Sequence, residues 1–94
     1  GSGATVAVVD ARGALDEAVP AIRSLADPTE ANAAALMVLL SRNDVARLSE
    51  VYAAGATHYL ASPFGEAELL QALRFAARHA DRLVGRRRVR LAVV

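Results

Sequence analysis

The sequence predicts a single α/β domain built on a parallel sheet. Three short apolar runs alternate with segments of helical spacing, and the connections between the runs are too long for hairpins. The runs are Ala4–Val9, Leu36–Leu40 and Thr57–Leu60. The first two are apolar on both faces, which is typical of strands covered by helices on either side. A chain of 94 residues is long enough for one such domain and too short for two.

The first helix is predicted over Leu15–Ala26, where apolar residues recur with helical spacing. Asp16 is the expected N-cap. Pro20 is costly inside a helix, so we expect the regular helix to start near it or to kink there. Residues 27–32 are rich in turn-forming side chains and predict a connection.

Two further helices and a C-terminal strand complete the prediction. The second helix is expected to be capped by Asn43 or Asp44 and to end at Gly55. The third is the longest and runs from Glu66 to about Val84. The tail, residues 88–94, alternates apolar side chains with Arg or Ala and predicts a strand.

Composition excludes several classes of site. The chain has no Cys, which excludes disulfides and thiolate metal sites and fits a cytoplasmic location. No apolar run approaches the roughly 20 residues needed to cross a membrane, and no secretory signal is present. All eleven Lys or Arg side chains are Arg, which excludes mechanisms that need the ammonium group of a Lys. His58 and His79 are far apart in the sequence, so a metal ligand is not expected of either.

Three stretches resemble the receiver domains of bacterial two-component signalling, the response-regulator receivers. They are Val8-Val9-Asp10, Leu39-Leu40-Ser41 and the most specific one, residues 54–64 (AGATHYLASPF). In that family the third strand ends in a phosphoacceptor Asp, the fourth ends in Ser or Thr, and the fifth carries an aromatic residue before Lys-Pro-Phe. The resemblance covers roughly residues 4–84. It implies a three-layer domain with a flavodoxin-like, receiver strand order that lacks the first two strands.

The resemblance also assigns roles to particular residues. Asp10 takes the phosphoacceptor position, Ser41 the position of the hydroxyl that contacts phosphate, and Tyr59 that of the switch aromatic. Ser62 stands where the family has its Lys. Pro63 follows it, and the matching peptide bond in the family is usually cis.

The family chemistry needs more groups than this sequence supplies. Phosphoryl transfer to the Asp uses Mg²⁺ held by an acidic pair after the first strand, and a Lys that holds the phosphoryl oxygens. No Lys exists in the chain, and no acidic pair precedes Ala4. Loss of a cation from such a site removes several kcal/mol of charge stabilisation. We therefore expect no bound Mg²⁺ or other cofactor, no enzymatic activity and no efficient phosphorylation of Asp10.

The missing strands make the tail important. Without them Ala4–Val9 would be an apolar sheet edge that something must cover. One expectation is that the tail adds beside it, through Val89, Leu91 and Val93, within the chain or swapped between two chains. The other is that the tail is a linker to a following domain. The predicted organisation is a cloning remnant at 1–3, a receiver-like domain at 4–84 and a strand or linker at 85–94.

The last helix carries two patterns. An apolar stripe with 4-3-4-3 spacing either packs on the sheet or forms a helix–helix dimer seam; it comprises Leu69, Leu73, Ala76, Ala80 and Leu83. An arginine ladder is either a solvated face or an anion or cyclic-dinucleotide site; it comprises Arg74, Arg78, Arg82 and Arg86. Nucleic-acid binding is disfavoured because the net charge is only +1 and no aromatic residue interleaves the arginines.

The sequence thus predicts a non-catalytic pseudo-receiver that acts through protein contacts. It is expected to act by homodimerisation or by regulating an output domain in the same chain. In its Ala-rich, Lys-free composition the sequence resembles receivers attached to cyclic-di-GMP signalling domains. Two alternatives stay open. The chain is a phosphoacceptor receiver whose front half lies outside this sequence, with Asp10 in a phosphorelay, or it binds anions through the arginine ladder.

Overall fold

The computed structural model describes residues 3–84 and 88–93, with side chains from 6 to 80. Four strands and three α-helices alternate along the described residues: β1 Gly3–Asp10, α1 Leu15–Ala31, β2 Ala35–Leu40, α2 Leu48–Ala54, β3 His58–Ala61, α3 Glu66–Val84 and β4 Arg88–Val93. A 3₁₀ helix at Arg42–Arg47 leads into α2. Within these residues no helix is long and apolar enough to cross a membrane.

The strands form one parallel sheet in the order β3-β2-β1-β4. The parallel α/β fold predicted from the sequence is therefore confirmed. The tail adds beside β1 within the same chain, from Gly3 opposite Arg88 to Val8 opposite Val93. Gly3 was expected to lie outside the domain as part of a cloning remnant, but it opens β1, because its backbone lies in register with the first residue of β4.

Helices cover both faces of the sheet and make three layers. Alternate residues of β1 and β2 point to opposite faces, so each face has its own apolar cluster. On one face α1 and α2 bury Ile22 and Val51 completely against the strands. On the other face α3 packs alone, and it contributes mainly small side chains, among them Ala76 and Ala80.

Helix α1 differs from the sequence prediction. It continues to Ala31 and includes both Pro20 and Pro28, so the turn predicted over residues 27–32 is wrong. Asp16 lies in the first turn of the helix, not at its N-cap. The hydroxyl of Thr29 lies 2.8 Å from the carbonyl oxygen of Leu25 and 2.9 Å from that of Ala26, as donor, in the preceding turn.

The connection after β2 also differs. Neither Asn43 nor Asp44 caps α2, because both lie inside the 3₁₀ helix. The other end of α2 is as predicted: Gly55 terminates it with φ +123°. A Cβ at this position would collide with the Cβ of Ala26 in α1, so both the backbone conformation and the packing require glycine.

Candidate functional site

The three polar residues of the receiver-like pattern lie at the carboxyl end of the sheet, where the parallel strands finish. Asp10 ends β1, Ser41 follows β2, and Ser62 follows β3. All three strands run parallel, so their carboxyl ends share this edge, where ligands bind in open α/β sheets. We call this region the carboxyl-end site. The Ser62–Pro63 peptide bond is cis, which is the geometry that the resemblance implies.

The carboxylate of Asp10 is held by Arg12. The guanidinium donates from Nε to Oδ1 at 2.8 Å and from Nη2 to Oδ2 at 2.7 Å, and the backbone N–H of Arg12 donates to Oδ1 at 3.2 Å. Both carboxylate oxygens are thus engaged in a bidentate pair. The side-chain hydrogen bonds from Arg12 lower the pKa of Asp10, and its charge adds to the effect.

The guanidinium of Arg12 also contacts an aromatic ring. Its guanidinium carbon lies 5.3 Å from the centroid of the Phe64 ring, within the range of a cation–π contact. Phe64 itself packs partly buried against the cluster beneath α3. Arg12 is assigned no role from the sequence, and its position two residues beyond Asp10 is the one signal that the sequence offers.

The hydroxyl of Ser41 is engaged as well. Its Oγ accepts a hydrogen bond from the backbone N–H of Gly13 at 2.8 Å. Beside it lies a cleft of about 390 Å³ whose acidic lining includes Asp16, Glu17 and Asp44. An incoming phosphoryl group would therefore meet carboxylates at this opening.

Arg47 compensates part of this negative charge. It donates from Nη2 to Asp16 at 2.6 Å and from Nε to Glu50 at 2.8 Å. The hydrogen bond from Arg47 lowers the pKa of Glu50. The arginine is therefore committed to two carboxylates and ties α2 to the start of α1.

A second polar region lies between β3 and α3. It is a cleft of about 330 Å³ whose lining includes Met37, Thr57, His58, Phe75 and His79; we call it the β3–α3 cleft. The ring centroids of His58 and His79 are 5.1 Å apart, and those of His58 and Phe75 are 5.4 Å apart. The fold thus brings together two histidines that the sequence reading treated as unrelated.

Burial and the neighbouring histidine act on His58 in the same direction. Partial burial is the larger cause that lowers the pKa of His58, and the charge of His79 adds to it. A register argument could have found the pair: His58 lies opposite Met37, and Met37 faces α3, so His58 faces α3 too.

Tyr59, the switch-aromatic position, points the other way from His58, as strand alternation predicts. Its ring meets that of Tyr52 edge to face with centroids 6.3 Å apart. Both tyrosines are exposed. A switching role for Tyr59 stays a prediction.

The two patterns of the last helix have different outcomes. Leu69 and Leu73 pack against the cluster on the sheet, and Ala76 and Ala80 are fully buried in it. These four residues are therefore core, and the dimer-seam interpretation is wrong for them because they already face the sheet. The remaining interaction candidates, Leu83, Val89, Leu91 and Val93, have side chains outside the described residues.

The arginine ladder is described only in part. Arg74 and Arg78 are exposed on α3, and neither takes part in an ion pair among the described residues. The side chain of Arg82 and the whole of Arg86 lie outside the described residues. Anion binding by this ladder stays a prediction.

Neither a metal-binding cluster among the described residues nor a matching protein identifies the function of this chain. In residues 3–84 and 88–93 no group of three or more His, Asp or Glu side chains is placed to hold a metal ion. Comparison of the chain with models of known protein families finds no match, and comparison with curated proteins finds none either. Function therefore has to be argued from the two regions described above.

Proposed function

We propose that this chain is a receiver-like signalling module that does not accept phosphoryl groups and acts through protein contacts. The observation that carries the proposal is the bidentate pair between Asp10 and Arg12. A carboxylate attacks phosphorus through an oxygen lone pair. In Asp10 both oxygens accept hydrogen bonds from a cation, so the nucleophile is deactivated.

The other requirements of the reaction point the same way. Ser62 offers no positive charge where the resembling family has Lys. The cleft beside Ser41 is lined by several carboxylates. Phosphoryl transfer depends on cations that neutralise developing charge. Of the cations described here, Arg12 is already paired with the nucleophile, and Arg47 in the cleft beside Ser41 is paired with Asp16 and Glu50.

The protein-contact half of the proposal is supported by exposed aromatic side chains. Phe75 is 65% exposed, and Tyr52 and Tyr59 are also exposed. All three line the same cleft at the β3 edge of the sheet. Exposed apolar surface of this kind favours a protein partner. We propose a cytoplasmic homodimer as one mode, and contact with an output domain of the same chain as the other.

Titration with beryllofluoride and Mg²⁺, followed by amide NMR, tests the first half. We expect no saturable shift at Asp10, Ser41 or Ser62 in the unmodified chain. Saturable shifts that Asp10→Asn abolishes would instead support the phosphoacceptor alternative. Arg12→Ala shows whether the ion pair alone closes the site: we expect no binding there either, because no other cation replaces the missing Lys.

Light scattering over a range of protein concentrations tests the second half. We expect a dimer that Phe75→Ser weakens, because the substitution removes the most exposed aromatic surface. The matched control is Arg74→Ser, which changes an exposed neighbour on α3 without removing apolar area. A chain that stays monomeric at every concentration would contradict homodimerisation and leave contact with an output domain as the proposed mode.

A further inference from the structure

We propose that His58 and His79 form a two-histidine binding site for Zn²⁺ in the β3–α3 cleft. This site is separate from the carboxyl-end site and does not rest on the argument about phosphoryl transfer, but it shares its cleft with the aromatic side chains proposed for protein contact. It is built from residues on two different elements, β3 and α3, and these are the only two histidines in the chain.

The spacing of the rings fits a shared ion. An imidazole nitrogen lies about 2.0–2.1 Å from Zn²⁺, so two rings that share the ion at a tetrahedral angle have centroids roughly 5.2 Å apart. The centroids of His58 and His79 are 5.1 Å apart, with the ring planes at 73° to each other in an edge-to-face arrangement, so the distance fits a shared ion once one ring has turned. His79 is exposed, so its ring can turn to aim a nitrogen at the ion, whereas half-buried His58 provides the fixed side of the site.

Thr57 supports His58 as a ligand. Its Oγ1 lies 2.7 Å from Nδ1 of His58 and 3.2 Å from the carbonyl oxygen of Leu36. When the hydroxyl proton is donated to that carbonyl, Oγ1 accepts the Nδ1–H of His58, and Nε2 carries the free lone pair. Histidine ligands in metal sites are oriented in this way by a hydrogen bond from the other ring nitrogen.

The surroundings favour an imidazole-preferring ion over a hard one. Met37 and Phe75 line the cleft, and no third His, Asp or Glu joins the pair within the described part of the chain. A site with two nitrogen ligands and no carboxylate is unsuited to Mg²⁺ or Ca²⁺ but suits Zn²⁺. Water completes the tetrahedral coordination at the open side of the cleft.

Calorimetric titration of the untagged chain with Zn²⁺ tests the site, with NMR to locate it. A histidine tag is omitted because it would compete. We expect saturable binding with one ion per chain and the largest shifts at His58 and His79. Each of His58→Gln and His79→Gln should weaken binding by at least about ten-fold, and the double variant should not bind saturably. Circular dichroism checks that the variants fold.

Thr57 gives an independent test as a positioning residue. Thr57→Val should weaken Zn²⁺ binding by about 10–100-fold, and Thr57→Ser, which keeps the hydroxyl, should restore it. Two results would overturn the proposal. One is a folded unmodified chain that binds Zn²⁺ no more tightly than the double histidine variant, and the other is a set of shifts centred on the acidic cleft beside Ser41.

Discussion

The carboxyl-end site and the β3–α3 cleft differ in how their polar groups are satisfied. At the carboxyl-end site both oxygens of Asp10 and the hydroxyl of Ser41 are already bound by groups of the same loop. In the cleft the hydroxyl of Thr57 and Nδ1 of His58 are hydrogen-bonded. Among the described residues no hydrogen bond involves Nε2 of His58 or the ring of His79, and the neighbouring Phe75 is largely exposed. The region with the recognisable residues is thus internally closed, and the region without a familiar pattern is open to a ligand or a partner.

Deletion of residues 88–94 should produce the largest effect on this comparison. Strand β4 pairs with β1, which carries Asp10, whereas the cleft lies at the opposite edge of the sheet, at β3. Removal of β4 turns an apolar central strand into an edge, so we expect the truncated chain to lose its folded state or to aggregate. Circular dichroism and light scattering measure this. A truncated chain that stays folded, soluble and unchanged in oligomeric state would show that β4 is dispensable.

Two glycines allow a smaller, matched test of the two regions. Gly55 precedes the β3–α3 cleft, and Gly13 belongs to the carboxyl-end site; both have positive φ. An alanine at Gly55 would also collide with Ala26, whereas a Cβ at Gly13 has nothing within 4 Å. We expect Gly55→Ala to lower the free energy of unfolding by about 2–4 kcal/mol and Gly13→Ala by about 1 kcal/mol.

Urea unfolding measures both glycine variants. Equal losses would contradict the close approach of α1 and α2 at Gly55. If Gly13→Ala lowered the free energy of unfolding more than Gly55→Ala, the loop that contains Arg12 and Gly13 would be more rigid than its open surroundings indicate.

The two regions should also respond to different ranges of pH. Burial lowers the pKa of His58 below its ordinary value of 6.5, so the folded state favours the neutral ring. Its contribution to stability is complete above about pH 6.5 and is lost as the pH falls below this value toward the lowered pKa. Urea unfolding midpoints in metal-free buffer should therefore fall as the pH drops below about 6.5, and His58→Gln should remove this part of the slope.

The corresponding range for Asp10 is more acidic. Hydrogen bonds from Arg12 lower its pKa below the ordinary value of 3.8, so its contribution is complete above that value and is lost as the pH falls through the lowered pKa. Asp10→Asn should flatten stability only in this acidic range. A slope near pH 6 that survives His58→Gln would contradict the assignment of the higher range to the cleft.

Arg12→Ala should have the smallest effect on stability. The pair with Asp10 is exposed on both sides, and exposed ion pairs contribute little because water and salt screen them. We expect a change in the urea midpoint close to the experimental error, and a smaller one still at high salt. A large loss would mean that the contact with Phe64 anchors this loop, and the site would then be more than a closed ion pair.

The sequence predicted the sheet and the placement of Asp10, Ser41 and Ser62, because buried parallel strands have continuous apolar runs and end at a common edge. It predicted α3 because apolar residues spaced 4-3-4-3 lie on one face of a helix. It did not predict Arg12, since the direction of that side chain depends on loop geometry that spacing does not encode. Pairing of His58 with His79 needed the register of β3 and the rotation of α3. The length of α1 was missed because the turn-forming side chains of residues 27–32 indicated a connection.

Intact-mass analysis after incubation with acetyl phosphate and Mg²⁺ tests the central claim most directly, namely that Asp10 at the carboxyl-end site does not accept a phosphoryl group. The account predicts that the chain gains no phosphoryl group and that Asp10→Asn has the same mass profile apart from the substitution itself. A phosphoryl adduct that forms on the unmodified chain and disappears in Asp10→Asn would contradict it, and would show instead that Asp10 is a working phosphoacceptor.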